Sequence, residues 1–508
     1  MIERLLIHRN RYHDSARLMR LSQELRRLPG VIMAEVLMGT SMNCELLGAS
    51  GFDPEVLRDV SPLDLVVALR GESAEHLESA SAELERLLES ADSTGEGGGD
   101  ASLARDLEQA MESRPEINLV TVAVPGAYAA YVARQALDAG RHVFLFSDNV
   151  AVEDEVALKR QAADAGLLMM GPDCGTAILA GVGLGFANRV RRGAVGLVGA
   201  SGTGIQELSC LVHRAGQGIS QAIGTGSRDL SSSVGGIMTE QGLRLLAEDD
   251  GTQVILLVAK KPAQEVASRL HSVLVQLGKP VVVRYLGQAG ASRRDGVTYS
   301  GDLDQAAQAA LACLSGEPPK DFLEPQPPSP PEPGSGLLVG LFGGGSLASE
   351  AALILAAAGH ETSAPAEPLR EDRPIPGNCH LVVDLGDDAY TVGKPHPMVD
   401  QTTRCGILRA AGADPRVGLL LLDLVLGDGA HSDPAPELAS AIEAARKERA
   451  GRPLAVIASV TGTDLDPQGA GRQKAALEAA RVRVAPSAAT AARLAAAWLD
   501  AAQGRSAP

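Results

Sequence analysis

Val195-Gly-Leu-Val-Gly-Ala-Ser-Gly-Thr-Gly-Ile-Gln-Glu207 joins a short apolar run to a cluster of glycines and hydroxyl residues, then opens an amphipathic segment. Val195 to Val198 shows no polar alternation, the pattern of a strand buried on both faces of a parallel sheet. Gly199 to Gly204 carries the chain through a tight turn, so the stretch reads as one strand, turn and helix of an open α/β sheet. Glycines let the backbone approach an anion closely. Free N–H groups and the positive helix end at Ser201, Gly202, Thr203 and Gly204 suit a phosphate. The spacing is neither G-x-G-x-x-G nor a Walker loop, because no lysine follows Gly204. The competing reading is a ligand-free turn capped by Ser201 or Thr203.

The same pattern recurs on both sides of this motif. Unalternated apolar runs lie at Leu119 to Val124, Val143 to Phe146, Leu167 to Met170, Val254 to Ala259 and Val281 to Val283, with helical patterns at Ala127 to Ala139 and Glu153 to Ala165 as crossovers. Two stretches read as linkers: the glycine-rich Ser93 to Asp100 and the proline-rich Glu317 to Gly336. Beyond the second, strands are expected at Leu337 to Phe342, Leu381 to Leu385, Val417 to Val425, Leu454 to Val460 and Val482 to Val484. Before the first, β-like runs at Arg4 to Ile7, Ile32 to Leu37 and Leu63 to Leu69 alternate with helices at Ala16 to Leu28 and Ser73 to Leu88, a small α/β unit. The expected plan is therefore α/β: a small N-terminal unit over 1–95, a Rossmann-like domain over 96–191, a flavodoxin-like domain over 192–316, a linker over 317–336 and a third open, mostly parallel sheet over 337–508.

Composition agrees with several globular domains in 508 residues: hydrophobic residues are 45% and charged residues 21%, which excludes wholesale disorder. Aromatics are only 3%, so the cores must be built from Ala, Val, Leu and Ile. A net charge of −17 opposes a nucleic acid or an anionic membrane as partner. The six cysteines form no C-x-x-C pair, so reduced thiols are expected and no metal site is. The first fifteen residues are interrupted by charge, and no run reaches the roughly 18 apolar residues of a membrane span. A soluble cytoplasmic protein is the expectation.

Further segments carry candidate chemistry. Gly343, Gly344 and Gly345 before Ser346 are three consecutive glycines at a strand end, costly in chain entropy unless a ligand or another backbone comes close. Gly427, Asp428, Gly429 and Ala430 end another strand, at the sheet edge where open α/β folds bind ligands. Lys394, His396, Asp400 and Arg404 crowd a Pro-rich segment suited to a carboxylate or phosphate, or to a solvated loop. Asp173 and Cys174 stand at a further strand end, where a lone cysteine is more often packing than nucleophile. The remaining histidines are scattered without metal-binding spacing. The acidic pair Asp387-Asp388 could hold a metal with phosphate.

With these segments in hand, the chain resembles the succinyl-CoA synthetase superfamily, and most closely its FdrA branch. The superfamily likeness covers Asn118 to about Ala312 and Leu337 to Leu499, carried by Gly171-Pro-Asp-Cys174, Ser201-Gly-Thr-Gly-Ile-Gln-Glu207 and Gly343-Gly-Gly345. The FdrA likeness runs nearly end to end. It rests on Leu37-Met-Gly-Thr40, Phe146-Ser-Asp-Asn-Val150, Met170 to Thr176, Gly199 to Leu208, Asp384-Leu-Gly-Asp-Asp388, Lys394-Pro-His-Pro-Met398 and Val460-Thr-Gly-Thr463 with Asp466-Pro-Gln468. The resemblance implies synthetase-type domains, with 96–191 as the CoA-binding-like one and 337–508 as the CoA-ligase type. It also implies two helix N-termini aimed at one phosphate, at Ser201 and near Gly427. The synthetases' histidine carrier has no counterpart in Leu286-Gly-Gln-Ala-Gly-Ala-Ser-Arg-Arg294.

For the FdrA branch, the resemblance implies the large subunit of a carbamoyltransferase in allantoin breakdown, interconverting oxalurate plus phosphate with oxamate plus carbamoyl phosphate. Phosphate would be held at Ser201 to Gly204 and Gly427 to Ala430, with Lys394, His396 and Arg404 on the substrate carboxylate and His396 donating a proton. Gly343 to Ser346, Asp173 and Cys174 would line the substrate. That reading needs no resident cofactor. Its partners are other subunits of the complex and further copies of the chain. The alternative is an acyl-CoA synthetase subunit that binds CoA and takes its nucleotide function from a partner chain. A third is a non-catalytic phosphate or CoA sensor.

Overall fold

The computed structural model describes residues 2–11, 13, 15–93, 104, 106–288, 290–316, 335–373, 375–392, 394–449 and 451–502. Nearly all of both expected linkers, 94–100 and 317–334, lies outside the described residues. The chain forms two compact units, Met1–Ser113 with Val392–Pro395, and Arg114–Thr391 with His396–Pro508. Among the described residues no helix is long and apolar enough to cross a membrane.

In the N-terminal unit, strands Ile2–His8 and Val31–Met38 flank Leu65–Gly71 in an antiparallel sheet. Side chains alternate across a strand. Leu65, Val67 and Leu69 accordingly meet Leu18, Leu21 and Leu25 of helix Ser15–Arg26 and Leu77, Leu84 and Leu88 of helix Ala74–Ser93. Val66 and Ala68 turn to the other face, against Leu47, Phe52 and Leu57.

Among its described residues the larger unit holds three sheets. Leu119–Val122, His142–Leu145 and Met169–Met170 form a small parallel sheet. An eight-stranded sheet is centred on the parallel strands Arg192–Ala200, Ile219–Gly224, Val254–Lys260 and Val281–Leu286. A six-stranded, all-parallel sheet runs in the order Thr362–Ser363, His380–Asp384, Leu337–Phe342, Val417–Val425, Ala455–Thr461, Arg483–Ala485. The break expected near Arg192 follows a hairpin that pairs with the next sheet. Strands Thr176–Leu179 and Val182–Gly185 pair antiparallel and join the eight-stranded sheet through Ala222, so the first sheet ends at Met170. This hairpin escaped notice because its second strand, Val-Gly-Leu-Gly, has little apolar weight.

Val254, Leu256 and Val258 face a core that also contains Ile205 and Leu208 of helix Gly202–Arg214, Leu347 of helix Gly345–Ala357, and Val382, Leu419 and Leu421 of the six-stranded sheet. Ile255, Leu257 and Ala259 face a separate core. The two large sheets therefore share one apolar layer, and the carboxyl ends of their strands open on the same region.

Candidate functional site

Ser201 ends strand Arg192–Ala200 and caps helix Gly202–Arg214, its Oγ accepting the Gly204 N–H at 3.1 Å. The same Oγ lies 2.7 Å from Oγ of Ser346, in the first turn of helix Gly345–Ala357. Two helix N-termini, one from each large sheet, thus meet head to head. Gly344 permits the approach, since a Cβ there would stand 2.9 Å from Thr203 Cγ2. The first N–H groups of a helix have no partner within it. Those of Gly202, Thr203, Gly345, Ser346 and Leu347 meet no protein acceptor among the described residues. Both helix ends are positive, so the junction favours an anion.

The triple-glycine turn does a different task from the one expected. The N–H groups of Gly343 and Gly344 donate to Asp423 Oδ1 and Oδ2, both at 2.8 Å, so a carboxylate of the protein fills the turn. Arg404 completes this arrangement. It is not a loop cation but a buried residue of helix Thr402–Ala413, whose Nη2 donates to Asp423 Oδ1 at 2.8 Å and to the carbonyls of Leu341 and Asp423. Its charge is spent on Asp423, which corrects its assignment to a substrate carboxylate. Lys394 is exposed and belongs to the Val392–Pro395 segment of the other compact unit.

His396 does sit in the larger unit, its ring centroid 6.2 Å from that of Phe186, which in turn stands 5.6 Å from Phe146. Its Nδ1 accepts the Met398 N–H at 3.1 Å, which leaves the proton on Nε2. Burial, helped by the Arg404 charge, pushes its pKa down to about 4. The ring is neutral near pH 7, which corrects the proton-donor role: an imidazolium is not on hand there, and a neutral Nε2–H can only polarise or orient.

Asp384 is the more telling acid. Its Oδ1 accepts the Gly386 N–H at 2.9 Å, and a Cβ on Gly345 would fall 2.1 Å from its Oδ2, so the carboxyl lies against the first residue of helix Gly345–Ala357. Burial raises its pKa to about 6; the nearby Asp423 adds to the rise, and the Gly386 N–H and Lys260 oppose it. Asp173 is likewise raised by burial, and Lys260 again opposes the shift. Lys260 was missed in the sequence because it looks like the polar stop of an apolar run.

Gly427 to Ala430 do not start a helix; the next one begins at Pro434. Gly427 N–H donates to Gln468 Oε1 at 3.1 Å, Asp428 N–H to the Ala187 carbonyl at 2.8 Å, and Ala430 N–H to the Gly427 carbonyl at 3.4 Å. Asp428 itself pairs with Arg189 at 2.8 Å. This loop is a seam between the two large sheets. The second helix end expected there is supplied instead by Gly345 and Ser346. Cys174 is fully buried and its thiol is pushed up to about 12, so it packs and does not attack.

Three family models match the chain: "AllF, heavy metal-associated domain" over residues 1–104, "CoA binding domain" over 190–283 and "CoA-ligase" over 341–498. Among the described residues no group of three or more His, Cys, Asp or Glu could hold a metal ion. The uncharacterized protein YahF of Escherichia coli (strain K12) is 38% identical over 502 residues, 96% of each chain. The succinate–CoA ligase (ADP-forming) subunit alpha 2 of Archaeoglobus fulgidus is 27% identical over 225 residues, 41% of this chain and 76% of that one. The apo dinucleotide-forming acetyl-coenzyme A synthetase 1 of Ca. Korarchaeum cryptofilum overlaps 76% of this chain and 84% of its own, at 18% identity and a TM-score of 0.32.

Proposed function

Because this chain belongs to the succinyl-CoA synthetase-like family that also includes YahF, we propose that it is the acyl-handling subunit of a CoA ligase, working on an acyl phosphate and relying on a partner chain for the nucleotide step. One observation carries this reading: the helix ends at Ser201 and Ser346, whose hydroxyl oxygens are 2.7 Å apart, come from the two stretches matched by the CoA-binding and CoA-ligase models. The phosphoryl oxygens would lie on the N–H groups of Gly202, Thr203, Gly345 and Ser346. As the acyl carbon is attacked and its bond to the phosphate oxygen breaks, these donors and helix ends take up the charge of the leaving phosphate. Asp384, ionised above about pH 6, accepts the proton of the attacking thiol, and the neutral His396 orients the acyl oxygen. CoA supplies the thiol. The test is thioester formation from a small carboxylic acid, ATP and CoA by the chain with its co-purifying partners. Absence of both thioester and CoA binding with every partner would overturn the reading.

A second reading, the carbamoyltransferase implied by the FdrA likeness, is favoured by one feature: Leu286 to Arg294 contains no histidine carrier, and its described end, Ser292–Arg294, is an exposed edge strand. Phosphate on the same helix ends would then attack the carbamoyl carbon of a ureido acid directly. Phosphorus NMR of the chain and its partners with oxamate and carbamoyl phosphate separates the two, because only this reading gives oxamate-dependent loss of the acyl phosphate without CoA.

A further inference from the structure

Strand register sets where a charge at the end of a strand must point. Val258 lies under helix Gly202–Arg214, close enough that a Cβ on Gly204 would come within 2.8 Å of its Cγ2. Lys260 is two residues on, hence on the same face of the same strand. Ala259 pairs with Ala200, so Lys260 is carried beside Ser201, just past the carboxyl end of the sheet. In the six-stranded sheet the same alternation turns Asp384 and Asp423 toward the shared layer, since Val382 and Leu421 belong to it. Asp423 is neutralised by Arg404, but among the described residues Asp384 is not paired with a cation. Lys260 is exposed, forms no hydrogen bond or salt bridge among the described residues, and acts electrostatically on both Asp173 and Asp384. Asp384 thus borders a junction built for an anion, and Lys260 stands where it can offset that carboxyl; on Asp173 it acts together with Arg228.

We infer that Lys260, beside the paired helix ends at Ser201 and Ser346, is the side chain that binds the phosphoryl group and makes the site selective for a phosphate-bearing substrate. The inference rests on the proposed placement of a phosphoryl group at those helix ends. It gives the cationic role expected of Lys394 and Arg404 to a residue at the sheet edge itself, whose charge, unlike that of Arg404, is not held by a protein carboxylate among the described residues. A lysine there is a mobile point charge that can follow the phosphate as it leaves.

The experiment is equilibrium dialysis of the full chain against radiolabelled inorganic phosphate, for wild type, Lys260→Met, Lys260→Gln, Lys260→Arg and the neighbouring Lys261→Met. Thermal unfolding of each variant verifies that it is folded. Loss of a charged hydrogen bond predicts binding weakened about tenfold or more in Lys260→Met and Lys260→Gln. Lys260→Arg should stay within about threefold of wild type and Lys261→Met should match it, because charge at one position is what counts. Wild-type affinity in the two neutral variants, or equal losses in Lys260→Arg or Lys261→Met, would overturn the role of Lys260 and leave the helix-end reading standing. Failure of the wild type to bind phosphate would overturn both.

Discussion

Replacing Asp423 by alanine should destabilise the larger unit by about 4 kcal/mol, and the estimate follows from what its carboxylate holds. It is fully buried and accepts three hydrogen bonds, from Gly343 N–H, Gly344 N–H and Arg404 Nη2, each at 2.8 Å. Removing one member of a buried ion pair typically costs about 3–5 kcal/mol, because the other charge is stranded. Two orphaned N–H groups add about 1–3 kcal/mol each, and water entering the vacated space offsets part of it. Arg404→Met with Asp423→Ala removes the stranded charge, so the double variant should be more stable than the sum of the single losses predicts, by roughly 1–3 kcal/mol. Trp498 is the only tryptophan and is buried in the layer shared by the two large sheets, so its fluorescence during urea unfolding reports the relevant transition. A loss below about 1 kcal/mol for Asp423→Ala, or strict additivity in the double variant, would refute the view that this carboxylate shapes the glycine turn.

Other expectations concern the junction itself. Gly344→Val should push Thr203 away and weaken phosphate binding about tenfold or more by dialysis, with Thr203→Ala restoring part of it, since the contact to relieve is a 2.9 Å approach. Asp384 keeps its proton in the folded state up to about pH 6, so its stabilising contribution is present below pH ~4 and lost as pH rises through 6. Asp384→Asn should therefore gain stability relative to wild type between pH 4 and pH 7 in urea titrations, and should abolish the rise of turnover through pH 6. Ser201→Leu with Thr203→Leu should abolish turnover, checked in the thioester and phosphorus NMR assays. Iodoacetamide at pH 8 should label the exposed Cys379 well before Cys174 or Cys210, as peptide mass mapping would reveal.

The parallel sheets were legible because strands such as Val254–Lys260 and Val417–Val425 are apolar almost throughout, and the Ser201 helix end because its glycines and hydroxyl sit where a strand run stops. Partnership was not legible. Gly343 to Gly345 and Gly427 to Gly429 are both glycine-rich stretches after a strand, yet one opens a helix against Thr203 and the other closes a seam on Ala187. Only the position of the neighbouring sheet distinguishes them. Arg404 reads as a cation in a polar loop until strand Val417–Val425 brings Asp423 to it, and Lys260 reads as a terminator until register places it beside Ser201. Local sequence marks the end of a strand; the charges it will meet come from far away in the chain.

The apolar layer between the two large sheets governs how the molecule comes apart. It is a core divided between two stretches of chain that are joined through the proline-rich region 317–334, so either half alone would expose an oily face that includes Leu347, Trp498 and Val258. The covalent link then serves chiefly to raise the local concentration of one half around the other. Two polypeptides split within 317–334 and produced together should find each other and refold as an obligate pair, whereas each produced singly should aggregate. In that case the chain would be a fused heterodimer, with the proposed phosphate junction lying across the line of fusion.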